Sequence, residues 1–180
     1  MPIRSPGVAL AALLCYAVSA PAQETGHVTI PDVEPLSADV QTIDGIVDAF
    51  YEVISGPAGQ PREWGRDATL YLEPIFFTIV DVDASGRPAA RTISKQEYVD
   101  RSDPWLVETG FVEREIHRET RRFSSIAHVW STYEWTAGDG TTGRGINGIH
   151  LFHDGDRWWI THATWDSERE GAPIPAEYLP

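Results

Sequence analysis

The stretch RGINGIHLFHDGDRWWITHATWD, from Arg144 to Asp166, decides the fold. Two runs rich in β-branched and aromatic residues flank Asp154-Gly155, a dipeptide typical of tight hairpin turns. The stretch also carries three of the seven tryptophans of the chain. Because a hairpin this apolar must be covered, we predict that it forms the deep end of a curved sheet that encloses a pocket.

Four long strands are predicted in the second half of the chain, where hydrophobic residues recur with a period of two. Short turns between them favour an antiparallel meander. The predicted strands span residues 111–123, 126–135, 144–153 and 157–166.

The first half of the chain predicts helices and shorter strands. Hydrophobic residues at helical spacing indicate a helix over 40–54, and Ser94 with Glu97 forms a capping box for a second helix over 94–108, which Pro104 is expected to kink or divide. Short strands are predicted over 69–72 and 76–83. The predicted fold is α+β, a cone-shaped curved antiparallel sheet of about six strands covered by the N-terminal helices.

Both ends of the chain differ in composition from the middle. Residues 1–22 resemble a cleavable export signal, and we expect cleavage after Ala22 and a periplasmic or secreted protein; a lipid anchor at Cys15 is the alternative. A flexible leader over 23–38, one domain over 39–168 and a proline-rich tail over 169–180 are expected to follow.

Charge and cysteine usage exclude several classes of protein. The chain has 27 acidic and 14 basic residues and a net charge of −13, which disfavours binding to nucleic acid or, after signal cleavage, to a membrane surface. Its one cysteine lies within the predicted signal, so we expect neither a disulfide nor a thiolate metal site in the mature protein.

Three segments resemble uncharacterised bacterial proteins of the nuclear transport factor 2-like superfamily, which includes ketosteroid isomerase-like and SnoaL-like proteins. These segments are AFYEVISGPAGQPREW, FVEREIHRETRRFSSIAHVWSTYE and RGINGIHLFHDGDRWWITHATWDSE. The resemblance covers about residues 40 to 170. It implies a cavity between the sheet and the helices, and a homodimer through the outer face of the sheet. It does not select a reaction, because this fold hosts enzymes, binding proteins and scaffolds.

The turn at Asp154-Gly155 suggests which side chains face the cavity. A two-residue turn pairs Leu151 with Trp158 and Asn147 with His162, which collects aliphatic residues at one end and polar groups at the other. The predicted lining, which includes residues of the first helix and of the preceding strand, is Phe50, Tyr51, Tyr133, Asn147, Ile149, Leu151, Trp158, Ile160 and Thr164. His162 and Asp166 are candidate proton carriers; the alternative is an interior histidine and a surface aspartate.

Other titratable residues are weaker candidates. The segment before Pro74 resembles the part of ketosteroid isomerases that carries the general base, and this resemblance places Glu73 there with one extra residue. A turn at Ser124-Ser125 pairs Ile116 with Tyr133, which places Glu113, Glu115, His117 and Glu119 on the outer face.

Neither a metal site nor a cofactor is expected, because His150 and His153 would point to opposite faces of a strand and no phosphate-binding loop is recognisable. The first hypothesis is therefore an exported domain that binds a small hydrophobic molecule in an apolar pocket without catalysis. The second is a cofactor-free acid/base enzyme, an isomerase, dehydratase, cyclase or hydrolase, that acts on such a molecule. The third is a homodimeric interaction module.

Overall fold

The structure, a computed structural model, describes residues 26–180 and consists of a six-stranded sheet with helices on one face. The predicted export signal and Cys15 lie outside the described residues. The helices are α1 (Ser37–Val40), α2 (Ile43–Glu52), α3 (Trp64–Ala68) and α4 (Lys95–Thr109), and a 3-10 helix spans Ala176–Tyr178. The strands are β1 (Phe76–Val82), β2 (Pro88–Ser94), β3 (Phe111–Phe123), β4 (Ile126–Ala137), β5 (Thr142–His153) and β6 (Trp158–Ser167).

The strand order is β2-β1-β6-β5-β4-β3, and the sheet is open. Strands β3 to β6 form the predicted antiparallel meander, and β1 adds to β6 in parallel, so the sheet is mixed. The predicted α+β fold is confirmed. The predicted strand over 69–72 was wrong, because this segment is a turn with a single bridge from Tyr71 to Ile160. Strand β2 was not predicted.

Helices α2 and α4 cover one face of the sheet, which we call the inner face. Thr42 caps α2 by accepting a hydrogen bond from the Gly45 N–H at 2.9 Å, and Ser94 caps α4 by accepting one from the Glu97 N–H at 3.2 Å. The capping residue predicted for α4 is therefore confirmed. Helix α4 continues through Pro104 without a break.

Two β-bulges shift the pattern of side chains along the meander. In β3 the pairing shifts between Glu115 and His117, so Ile116 is an extra residue. In β6, His150 pairs with His162 while Leu151 pairs with Ile160, so Thr161 is an extra residue. A bulge puts the residues on its two sides out of phase, so the face to which they point is reversed from one side to the other. The register predicted from a two-residue turn was wrong for two reasons. His153 pairs with Trp158 across a loop of four residues, and the bulge at Thr161 shifts the pairing by one more, so Asn147 pairs with Trp165 rather than with His162.

The hydrophobic core lies between the inner face and the helices. It includes Ile46 and Val47 of α2, Ile149 of β5, and Ile160 and Ala163 of β6, all of which are fully buried. The opposite face, which we call the outer face, is partly covered by the C-terminal segment, where Thr132 donates a hydrogen bond to the Tyr178 carbonyl at 2.8 Å. Within residues 26–180, no helix is both long enough and apolar enough to cross a bilayer.

Candidate active or binding site

A cavity of about 440 Å³ lies between α2, α4 and the inner face of the sheet. Its size is within the range of small-molecule sites. Helix α4 and the ends of β3 to β6 supply most of its walls. The lining residues are Phe50, Ile54, Arg91, Tyr98, Arg101, Ser102, Trp105, Leu106, Phe111, Glu113, Tyr133, Trp135, Asn147, Trp165 and Ser167.

Two glycines of β5 let aromatic rings of β4 lie flat against the sheet and form the floor of the cavity. A Cβ on Gly145 would stand 2.2 Å from the hydroxyl oxygen of Tyr133, and a Cβ on Gly143 would stand 2.6 Å from the indole of Trp135. Each glycine is the cross-strand partner of the aromatic residue that covers it. The alternating glycines of the Gly143-Arg144-Gly145 segment therefore fit the ring positions.

Aromatic pairs hold the rings that line the cavity. Phe111 and Trp135 are stacked, with ring centroids 5.8 Å apart and an interplanar angle of 30°. Tyr98 and Trp165 meet edge to face at 5.9 Å. Such arrangements hold the rings in fixed positions, so the cavity is largely preformed.

Glu113 is the carboxyl group inside this cavity, and the bulge at Ile116 places it there. Without the extra residue, Glu113 would point to the outer face, as the sequence predicted. Desolvation by burial raises the pKa of Glu113 from 4.5 to about 8, and interaction with the Asn147 side chain partly offsets that rise. At neutral pH the carboxyl is therefore mostly protonated and can donate a hydrogen bond.

Asn147 is held by a buried chain of polar groups. Its amide donates to the Tyr51 hydroxyl at 3.1 Å, and this hydroxyl shares a hydrogen bond of 2.6 Å with Ser131. Ser131 in turn donates to Glu115, whose carboxylate accepts from the Arg118 guanidinium at 2.7 Å. This chain fixes the orientation of the amide that faces Glu113.

Two tyrosine hydroxyls complete the polar lining. Burial raises the pKa of Tyr133 to about 12, and its hydroxyl lies 3.4 Å from the Ser167 hydroxyl. Burial also raises the pKa of Tyr98 above its usual range. Both phenols stay protonated near neutral pH, so both can donate hydrogen bonds to a ligand.

The predicted lining residues fall into three groups. Phe50, Tyr133 and Asn147 line the cavity. Tyr51 is buried beside it and supports Asn147. The remaining inner-face residues lie in the packed core rather than on the cavity surface: Ile149, Leu151, Trp158 and Ile160.

The predicted position of the polar residues at the end of β6 was wrong. His162, Thr164 and Asp166 point to the outer face, because the bulge at Thr161 reverses the alternation before them. Thr164 and Asp166 border a groove beneath the C-terminal segment, and Asp166 pairs with Arg169. Glu73 is exposed, and its carboxylate accepts a hydrogen bond from the Ile75 N–H at 3.0 Å, away from the cavity.

The outer face also carries a row of three histidines from neighbouring strands. The ring centroids of His128 and His150 are 4.8 Å apart, and those of His150 and His162 are 6.0 Å apart. Across residues 26–180, no cluster of three or more His, Cys, Asp and Glu side chains has an arrangement that could hold a metal ion.

The sequence did not identify Glu113, Arg91 or Arg101 as lining residues. Glu113 was assigned to the wrong face, and Arg91 belongs to the strand that was not predicted. The paired glycines at 143 and 145, opposite aromatic residues of β4, are a pattern that could have indicated the floor of the cavity.

Comparison with solved structures identifies the fold. A putative calcium/calmodulin-dependent protein kinase II association domain from Xanthomonas campestris superposes with a TM-score of 0.52 and 13% sequence identity, over 79% of this chain and 99% of that chain. The fold is nuclear transport factor 2-like. The Kfla4162 protein from Kribbella flavida superposes with a TM-score of 0.43 and 14% identity, over 57% of this chain and 74% of that chain. No family model and no curated protein sequence matches the chain.

Proposed function

We propose that the cavity under α2 and α4 binds a small, largely apolar molecule. The observation that carries this proposal is a preformed space of about 440 Å³ with aromatic walls and a few polar groups that face into it. An apolar cleft with a small number of oriented polar groups has the chemistry of a small-molecule site. The lining residues of the cavity are sufficient for binding of this kind.

A neutral fluorescent probe tests this proposal. N-phenylnaphthylamine is apolar and becomes bright when it leaves water, so the purified protein should enhance its emission with a saturable isotherm. Ser102→Trp places a bulky ring in the cavity from α4 and should abolish the signal. Ser85→Trp adds the same ring to the exposed turn between β1 and β2 and is the matched control.

Circular dichroism of both variants would show that the fold is retained. Probe binding that survives Ser102→Trp at full strength would contradict the proposal. If the proposal holds, native mass spectrometry of protein purified from its host would identify a retained ligand directly.

A second candidate function is proton transfer, and the position of Glu113 favours it. A carboxyl group whose pKa lies near 8 in an apolar cavity can both take and return a proton near neutral pH. The Tyr133 hydroxyl, which lines the same cavity, could donate a hydrogen bond to a developing negative charge on a bound carbonyl compound. In this proposal Glu113 takes the role that the sequence suggested for His162, Asp166 or Glu73.

We also propose that the protein is exported and belongs to the nuclear transport factor 2-like superfamily beside SnoaL-like proteins. The composition of residues 1–22 and the three resembling segments support this. The homodimer stays a prediction, which sedimentation at micromolar concentration would test.

A further inference from the structure

We propose that the ligand of the cavity is an amphipathic anion, with a flat apolar body, a carboxylate at the mouth and a hydrogen-bond acceptor at the deep end. This inference rests on the proposed binding function and names the class of ligand. It follows from how charge is distributed among the lining residues.

Two arginines form the positive part of the lining. Arg91 comes from β2 and Arg101 comes from α4, so two separate elements bring guanidinium groups to the same cavity. Their side chains are 46% and 56% exposed, which places both groups at the solvent end. A ligand carboxylate at this mouth could reach both guanidinium groups while it remains partly hydrated.

Each arginine is oriented by an acidic neighbour that does not line the cavity. The Nε of Arg91 lies 3.2 Å from a carboxylate oxygen of Asp81, and a terminal nitrogen of Arg101 lies 2.6 Å from Glu97. Arg91 contacts Asp81 through Nε rather than through its terminal amino groups. Exposed ion pairs of this kind are weak, and they leave N–H donors for a ligand carboxylate.

The interior of the cavity offers little negative charge to oppose an anion. Glu113 is the single acidic residue among the lining residues, and its carboxyl is mostly protonated at neutral pH. The lining residues therefore carry a net positive charge, on a chain with a net charge of −13. A positive lining of this kind favours an anionic ligand over a neutral one of the same shape.

The deep end is suited to an acceptor. The protonated Glu113 carboxyl and the Tyr133 hydroxyl are donors, and the Asn147 amide, which contacts both Tyr51 and Glu113, holds the Glu113 carboxyl in place. A carbonyl or ether oxygen of the ligand would satisfy these groups. Between the two ends, the stacked rings of Phe111 and Trp135 offer a flat apolar surface to an unsaturated body.

Two probes with the same ring skeleton test the charge preference. Anilinonaphthalenesulfonate is N-phenylnaphthylamine with one added sulfonate, which stands in for the carboxylate. In the wild-type protein we expect the anion to bind roughly tenfold more tightly than the neutral probe. The double variant Arg91→Met/Arg101→Met should lose this preference and bind both probes within about twofold of each other.

A second double variant controls for net charge. Arg87→Met/Arg114→Met removes two exposed arginines away from the cavity and changes the net charge of the chain by the same amount. It should keep the tenfold preference. Added salt should reduce the preference of the wild type, because screening acts on the exposed guanidinium groups.

The outcomes separate the two proposals. A wild type that binds both probes equally, or a preference that survives loss of Arg91 and Arg101, would overturn the ligand class and leave the binding function intact. A wild type that binds neither probe would overturn the binding function as well. Loss of the preference in the cavity variant alone supports the amphipathic anion.

Discussion

Replacement of Glu113 by glutamine should change how the stability of the protein depends on pH. The pKa of Glu113 is about 8 in the folded protein and close to 4.5 when the chain is unfolded. Between these values the folded protein keeps a proton that the unfolded chain releases, so the free energy of unfolding falls as pH rises. The glutamine amide does not titrate in this pH range, so the free energy of unfolding of the variant should not show this fall.

The size of the effect follows from the pKa difference. A rise from 4.5 to about 8 corresponds to at most about 5 kcal/mol, since each pKa unit is worth about 1.4 kcal/mol. The cavity opens to solvent and relaxation lowers such penalties, so we expect about 2–3 kcal/mol. Glu113→Gln should thus match the wild type below pH 4.5 and exceed it in stability by this amount above pH 8.

Urea unfolding followed by tryptophan fluorescence, repeated across this pH range, measures the difference. Glu134→Gln is the matched control, because Glu134 lies on the outer face and pairs with Arg114 at the surface. A difference between Glu113→Gln and wild type that stays constant with pH would refute the reasoning. It would mean that Glu113 is as well hydrated in the fold as in the unfolded chain.

Three further predictions address the proton, the floor and the buried ion pair. Nitrobenzisoxazole opens to a coloured phenolate when a base removes its ring proton, and the wild-type rate should rise through pH about 8 and disappear in Glu113→Gln; an equal rate in both proteins would exclude Glu113 as the base. Gly145→Ala should lower the free energy of unfolding by about 1–3 kcal/mol, because the new methyl group meets the Tyr133 hydroxyl; an unchanged urea midpoint would contradict this. Lys95→Met should lower the free energy of unfolding by about 3–5 kcal/mol, because it leaves the buried Asp67 carboxyl without its ion-pair partner. Adding Asp67→Leu should restore much of this loss, as measured by thermal unfolding.

The fold could be predicted from the sequence because its periodic signals are long. The four strands of the meander and helix α4 repeat their apolar pattern over ten or more residues, and their observed bounds differ little from the predicted ones. Strand β2 gave a poor signal, since PAARTIS is mostly exposed and its apolar residues do not alternate. The segment at 69–72 has β-forming residues, but its backbone turns between α3 and β1.

The site could be predicted only in part, because two single-residue bulges decide which side chains face the cavity. Between each hairpin turn and its bulge the alternation was assigned well, as the pairing of Thr120 with Val129 and the inward positions of Trp158 and Ile160 show. Beyond Ile116 and Thr161 the faces exchange, and Glu113 moved inward while Asp166 moved outward relative to prediction. A bulge depends on tertiary packing rather than on a local residue pattern, so the sequence gives no direct sign of it.

The ion pair of Lys95 and Asp67 has a practical consequence for chemical labelling. Lys95 is the single lysine of the chain, and its amino group is almost fully buried at the start of α4, beside the ring of Tyr71. Amine-reactive reagents can therefore modify a side chain of the folded protein only when this region opens. The rate of Lys95 acylation under native conditions would report local opening of the helix that roofs the cavity, without any engineered probe.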